Sequence, residues 1–168
     1  KTASGAPEQA NQLQDLVTVT KINALVIFPF ESASLTKPVA QAKGKGIYVT
    51  VVDRGLTDTS AQDAYVAGDN TAFGKIPAEY LAKAMGGKAL IIELQGTVGS
   101  SPANDRMKGF ADYIKDYPDM KIIASQSGDF ARDKGRQVFE TLYQAHPEAT
   151  ALYSHNDEMT MGAIAAME

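Results

Sequence analysis

Apolar residues follow two rhythms along this chain. Short continuous runs rich in branched and aromatic residues occur at 24–28 (ALVIF), 47–52 (IYVTVV), 89–92 (ALII), 120–125 (MKIIAS) and 150–154 (TALYS). Each reads as a strand, the run at 24–28 as a buried one and the run at 89–92 as one covered on both faces. Between them, apolar residues recur at helical spacing. Ala10, Leu13, Leu16 and Val17 form one such face, and Leu35, Val39 and Ala42 a second. Phe73, Ile76, Tyr80, Leu81 and Ala84 make the third, and Met107, Phe110, Ala111 and Ile114 the fourth. Val138, Phe139, Leu142 and Tyr143 form the fifth, and Met159, Ala163 and Ile164 the last. Pro29 ends the first strand, Gly44 and Gly46 close the helix over 34–43, and Asp69-Asn70 caps the next. Pro38 is expected in the first turn or so of its helix, whereas Pro77 should kink its helix or displace the start.

Alternating strands and helices predict an α/β protein with a mostly parallel sheet. Five main strands would suit one flavodoxin-like domain, but three features disturb that reading. The helix that starts at Pro7 has no strand before it, and the helix headed by Asn156 runs to the last residue, Glu168. Residues 55–63 are polar and turn-rich, more like a passage between lobes than a βα loop, and a short extended piece follows at 64–67. The chain reads as part of a larger protein.

Composition narrows the function. The 168 residues are 44% hydrophobic and 21% charged, which supports a packed core. A net charge of −4 and a pI near 5.2 argue against nucleic acid or anionic membrane as the main partner. No apolar run approaches the ~20 residues of a membrane helix, and residues 1–5 (KTASG) lack the apolar segment of a signal peptide. An exported mature chain and a cytosolic one would look alike here. With no cysteine, disulfides and thiolate metal sites are excluded.

The stretch over 88–110 holds the most chemistry. A strand (residues 88–95), a turn punctuated by Gly96 and Gly99, and a helix entered through Ser101-Pro102 place Asn104, Asp105 and Arg106 in the helix's first turns. Ligands of open α/β sheets bind at that edge, beyond the strands' carboxyl ends. Asp53 and Arg54 end another strand in the same way, although taken alone the pair reads more readily as a surface salt bridge at a loop. Phe130 sits in a loop beside Gly128 and Asp129, and Asn156 is most simply an N-cap. His155 reads as a loop residue, since no second histidine stands at ligand spacing. The turn at 96–99 lacks the lysine of a phosphate-binding loop and the three glycines of a dinucleotide site. No nucleophile elbow is present, and no cofactor is implied.

Several segments, taken in order, resemble a known family. They are VVDR (51–54), VAGDNTAFGKIPAEYLAKAMGGKALIIELQG (66–96), SSPANDRMKGF (100–110), GDFARDKG (128–135) and SHNDEMTMGA (154–163). The chain is similar over nearly its whole length to periplasmic sugar-binding proteins of the ribose-binding type, the receptors of ABC importers. The resemblance implies two doubly wound parallel-sheet lobes of the type I periplasmic binding protein fold, each only partly covered. Residues 1–66 would belong to the N-terminal lobe and 67–168 to the C-terminal lobe. It also implies ligand-binding roles. Asp53 and Arg54 match the pair that hydrogen-bonds sugar hydroxyls, and Arg106 matches the arginine after the ELQG loop. Phe130 matches the aromatic that stacks on the ring, and Asn156 the asparagine opening the NDEM helix. Pro77 and Ala131 depart from the family's usual small and acidic residues.

The chemistry of that set suits a sugar independently. Vicinal hydroxyls pair with planar carboxylate, amide and guanidinium groups, and an aromatic ring covers the apolar C–H face. The expected ligand is a monosaccharide, pentose or hexose, and the resemblance implies membrane-embedded ABC permease partners and a periplasmic or extracellular lipid-tethered location. Two other classes stand beside this one. The effector-binding core of a LacI-type repressor shares the fold, although Gly86-Gly87-Lys88 replaces the histidine usual there. An enzyme on a flavodoxin-like domain would need a catalytic constellation, and none is visible.

Overall fold

The computed structural model describes residues 1–167. The elements run α1 (Ala6–Asp15), a π-helical turn (Leu16–Thr20), β1 (Ala24–Ile27), α2 (Ser32–Gly44), β2 (Tyr48–Val52), a 3₁₀ turn (Thr59–Ala61), β3 (Ala64–Val66), α3 (Asn70–Ala84), β4 (Lys88–Gln95), α4 (Ser101–Ile114), β5 (Asp119–Ser127), α5 (Arg132–Ala145), β6 (Ala151–Ser154) and α6 (Asp157–Met167). The chain divides into two compact units, Lys1–Gly68 with Gly99–Pro102, and Asp69–Val98 with the chain from Ala103 on.

The first unit holds a parallel sheet in the order β1-β2-β3. One apolar cluster fills one face, where Leu13, Leu35, Val39, Val49 and Val51 meet. Nothing among the described residues buries the other face: Val26 is 75% and Phe28 48% exposed, and burial alternates along β1. This corrects the expectation that 24–28 is a buried strand. Residues 55–63 are not a passage between lobes either. They bury Leu56 and Ala61 in the unit's own core and lead into β3 beside β2. Asp63 locks that return by accepting from the Val49 amide at 2.8 Å and pairing with Lys43 at 3.2 Å. Those bonds hold its carboxyl below the ordinary aspartate value. Pro38 lies in the second turn of α2, about half a turn later than expected, because the helix begins at Ser32 and not at Ser34.

The second unit holds a parallel sheet in the order β5-β4-β6, with β4 in the middle. Here both faces are filled. Ile91, Phe110, Met120 and Tyr153 pack on one side, and Ile92, Leu94, Val138, Phe139 and Met159 on the other. Residues Ile91–Leu94 are therefore buried without a break, as a doubly covered strand requires.

The buried face of α3 is not the predicted one. Asn70, Gly74, Ala78 and Ala82 face inward, while Phe73, Ile76 and Tyr80 are exposed. Close helix packing is the reason. A Cβ on Gly74 would lie 2.1 Å from the Arg106 carbonyl, and one on Gly109 would lie 2.1 Å from the Thr71 carbonyl. Only small residues let α3 and α4 approach so closely, so the larger ones turn outward. The helix starts at Asn70 and runs through Pro77, with its start undisplaced and Asp69 accepting from the Ala72 amide at 2.9 Å. Met107, Tyr143 and Ile164, expected inside, are exposed. Among the described residues no helix is long and apolar enough to cross a membrane.

Candidate functional site

In the first unit, the carboxyl end of β2 delivers Asp53 and Arg54. Asp53 takes a left-handed backbone (φ 62°), which costs a non-glycine residue of order 1 kcal/mol or more and needs outside support. That support comes from the Asp53 amide donating to the Val66 carbonyl at 2.8 Å and from Tyr65 Oη donating to the Asp53 carbonyl at 3.0 Å. Arg54 donates from Nη1 to the Phe30 carbonyl at 2.6 Å. Its guanidinium lies 4.9 Å from the Phe28 ring centre and 5.6 Å from that of Phe30. Burial lowers the Arg54 pKa, and the neighbouring Asp53 charge opposes that shift.

The sequence reading missed what holds this corner. Gln9 donates to the Phe28 carbonyl at 2.8 Å and accepts from the Phe30 amide at 2.7 Å, so one side-chain amide pins both ends of the Phe28–Phe30 bend. Gln9, Phe28, Phe30 and Arg54 share a cleft of about 580 Å³. The available signal was the pair of phenylalanines bracketing Pro29 just past an apolar strand.

In the second unit, the structure brings Arg106, Phe130 and Asn156 together beyond the carboxyl ends of β4, β5 and β6. Arg106 donates from Nε to Asn70 Oδ1 at 2.9 Å and from Nη1 to the His155 carbonyl at 2.5 Å. Its guanidinium is 5.3 Å from the Phe73 ring centre and 5.7 Å from that of Phe130. Two fixed bonds and two flanking rings hold the planar group while leaving Nη2 uncommitted among the described residues. Asn156 is a helix cap, as expected, accepting from the Met159 amide at 3.1 Å. Its Nδ2 also donates to the Phe130 carbonyl at 3.0 Å, fixing the loop that carries the ring. That loop is strained at two consecutive residues, Asp129 (φ 54°) and Phe130 (φ 61°).

Phe130 is half-buried and packs on the second unit's core edge. Its ring lies directly on Gly96, where an added Cβ would sit 1.9 Å from the ring's Cζ. Asn70 and Phe73, missed in the sequence reading, belong to this corner too. His155 is a loop residue, as expected, in the bend between β6 and α6, and the structure adds that it is buried against Glu93, its Nε2 3.1 Å from Oε1. Burial alone would raise the Glu93 carboxyl, yet bonds from His155, Ser125 and Gln95 outweigh it and hold the pKa below the ordinary value. Tyr153 stacks on Phe110 with ring centres 3.8 Å apart, and its Oη donates to the Arg106 carbonyl at 3.1 Å. Burial, with Glu93 nearby, pushes that phenol's pKa up. Among the described residues no cluster of three or more His, Asp or Glu side chains could hold a metal.

Both corners therefore present planar hydrogen-bonding groups beside aromatic faces at the carboxyl edge of a parallel sheet. Comparison with known proteins identifies the family. The chain is 39% identical over 176 residues to the galactofuranose-binding protein of Escherichia coli (strain K12), covering 100% of this chain and 55% of that protein. It is 39% identical over 163 residues to the ribose import binding protein of the same organism, covering 97% and 54%. Among solved structures, a galactofuranose binding protein superposes with a TM-score of 0.90 at 38% identity, covering 96% of this chain and 56% of the other. The binding protein of the arabinose ABC transporter from Shewanella sp. ANA-3, bound to α- and β-L-arabinofuranose, superposes with a TM-score of 0.87 at 34% identity, covering 95% and 54%. The chain spans about half the length of the relatives it matches. The family described as periplasmic binding protein domain matches residues 1–168, and the chain belongs to it.

Proposed function

We propose that the protein is a solute-binding receptor, not an enzyme, that captures a monosaccharide between two lobes and delivers it to an ABC importer. In this reading residues 1–66 contribute to one lobe and 67–168 to the other, with Asp53 and Arg54 on the first and Arg106, Phe130 and Asn156 on the second. The observation that carries the proposal is the second unit's corner, where a fixed guanidinium, a capping amide and an aromatic ring converge. Arg106 supplies donors to ring or hydroxyl oxygens, Asp53 accepts from hydroxyls, and Phe130 covers a C–H face and excludes water. The relatives' ligands, galactofuranose, ribose and arabinofuranose, support a pentose or hexose. Membership of the family supports a periplasmic or lipid-tethered extracellular location and membrane-embedded permease subunits as partners.

The test is calorimetry and thermal shift of the full-length protein carrying this sequence against D-ribose, L-arabinose, D-galactose and their furanose glycosides. One or a few sugars should bind with micromolar or better affinity and raise the melting temperature. A panel without any binder, or binding unchanged by Arg106→Ala, would refute the assignment.

A further inference from the structure

Beneath the sugar-facing residues of the second unit lies a buried ionisable pair to which the proposed binding assigns no role. Glu93 is 2% and His155 4% exposed. Glu93 stands between Ile92 and Leu94 in the doubly covered strand β4, where an unpaired carboxylate would be costly. Its Oε2 accepts from Ser125 Oγ at 2.5 Å and from Gln95 Nε2 at 3.2 Å, and its Oε1 faces His155 Nε2 at 3.1 Å. On the other side of the ring, His155 Nδ1 lies 3.2 Å from the Gly96 amide nitrogen, a group that can only donate. The bonding pattern assigns the proton to Nε2, where it is donated to Glu93, and leaves Nδ1 as the acceptor.

Each end of this residue supports a different ligand-facing group. Nδ1 holds the amide of Gly96, and the Phe130 ring rests on Gly96 with no room for a Cβ between them. The backbone carbonyl of His155 accepts from Arg106 Nη1 at 2.5 Å. Tyr153, whose ring centre is 5.2 Å from that of His155, donates to the Arg106 carbonyl and braces the same arginine. We propose that His155, oriented by Glu93, is a positioning residue for ligand binding, setting the height of the Phe130 ring through Gly96 and the pose of Arg106 through its own carbonyl. This rests on the reading of Phe130 and Arg106 as ligand-binding residues.

The alternative is that His155 merely satisfies Glu93 in the core, and paired substitutions separate the two. In His155→Asn, Oδ1 stands as many bonds from Cα as Nδ1 does and can accept from Gly96. His155→Leu has a similar shape and no acceptor. Both leave Glu93 without its ring partner, so they should lower the melting temperature alike. Sugar affinity of the full-length protein, measured by calorimetry with the sugar that binds the unaltered protein, should fall about ten-fold or more in the Leu variant, the scale of one lost hydrogen bond. The Asn variant should stay near the unaltered value.

Equal losses in the two variants, or none in either, would overturn the positioning role. A measurement on the unaltered protein needs no variant to fold: ¹⁵N NMR of the histidines at pH 7 should show His155 protonated at Nε2 and bare at Nδ1, and a protonated Nδ1 overturns the proposal. Arg106→Ala separates the two levels of inference. If it leaves affinity unchanged, the site reading falls and this proposal with it. If it weakens binding while Asn and Leu at 155 act alike, only the positioning role falls.

Discussion

The two units solve the same problem, fixing a charged group at the carboxyl edge of a parallel sheet, by different means. In the first, Arg54 is held from the side by the Phe30 carbonyl and two aromatic rings on a bend that Gln9 pins. Among the described residues its sheet is packed on one face. In the second, Arg106 and Phe130 are held from below by a polar network threaded through a sheet packed on both faces. A side-held group depends on a few local contacts, and changes elsewhere in its unit should reach it weakly. A group supported through the core inherits the core's precision, and also its intolerance of change, because buried hydrogen-bond networks act together.

The largest expected difference is in packing tolerance. Gly74→Ala in the second unit drives a Cβ into the α4 backbone and should cost about 3 kcal/mol in denaturant unfolding. Gly44→Ala in the first unit meets nothing within 4 Å and should be neutral or slightly stabilising. Equal costs would break the comparison. Next comes the arginine of the second unit: Arg106→Ala should lower sugar affinity by about 2–3 kcal/mol, and Arg106→Lys nearly as much, because lysine cannot reproduce the planar fork held by Asn70 and His155. Calorimetry showing lysine close to wild type would mean that charge, not geometry, is what the site uses.

Phe130→Ala should weaken binding by about 2 kcal/mol while barely moving the melting temperature, as for a stacking surface at the edge of a core. A large loss of stability without ligand would place the ring's role in folding instead. If both corners grip one sugar, Arg54→Ala and Arg106→Ala should couple by about 1 kcal/mol in a double-mutant cycle, with the radius of gyration falling on ligand addition. Additive losses with an unchanged radius would refute a two-sided clamp.

The smallest effect is in pH. Because the folded Glu93 carboxyl is held below its unfolded value, its contribution to stability is present above the ordinary glutamate range near pH ~4.3 and is lost as pH falls through the folded pKa. Glu93→Gln should flatten part of that acid limb in pH-dependent unfolding; an unchanged limb would show that the carboxylate is not tuned.

Element types and order were legible because apolar runs and helical spacing report burial directly, and the capping roles of Asp69 and Asn156 followed from residue type. What escaped was how many sides a strand buries. ALVIF and ALII look alike, yet among the described residues the first is packed on one face and the second on both, since coverage depends on what packs there. The face of α3 was misread for a related reason. A stripe of Gly and Ala carries little hydrophobicity, but it admits a neighbouring backbone that Phe73, Ile76 and Tyr80 would exclude. The pairing of Glu93 with His155 joins residues far apart in sequence. Its only trace was a carboxylate inside an otherwise apolar strand, which needed a partner somewhere. Arg106 and Phe130 could be proposed from the motifs, but their dependence on Asn70 and Gly96 lies in contacts no spacing rule encodes.

The contact between Gly96 and the Phe130 ring also limits how such a site can diversify. A hydrogen is all that fits at residue 96 while the ring stays in place, so no side chain can enter there first. Position 130 must shrink before position 96 can grow, and the reverse order passes through a displaced ring. Mutational paths through this corner are thus ordered by this one contact. Change should accumulate at the polar positions around the ring, with the floor beneath it left as glycine.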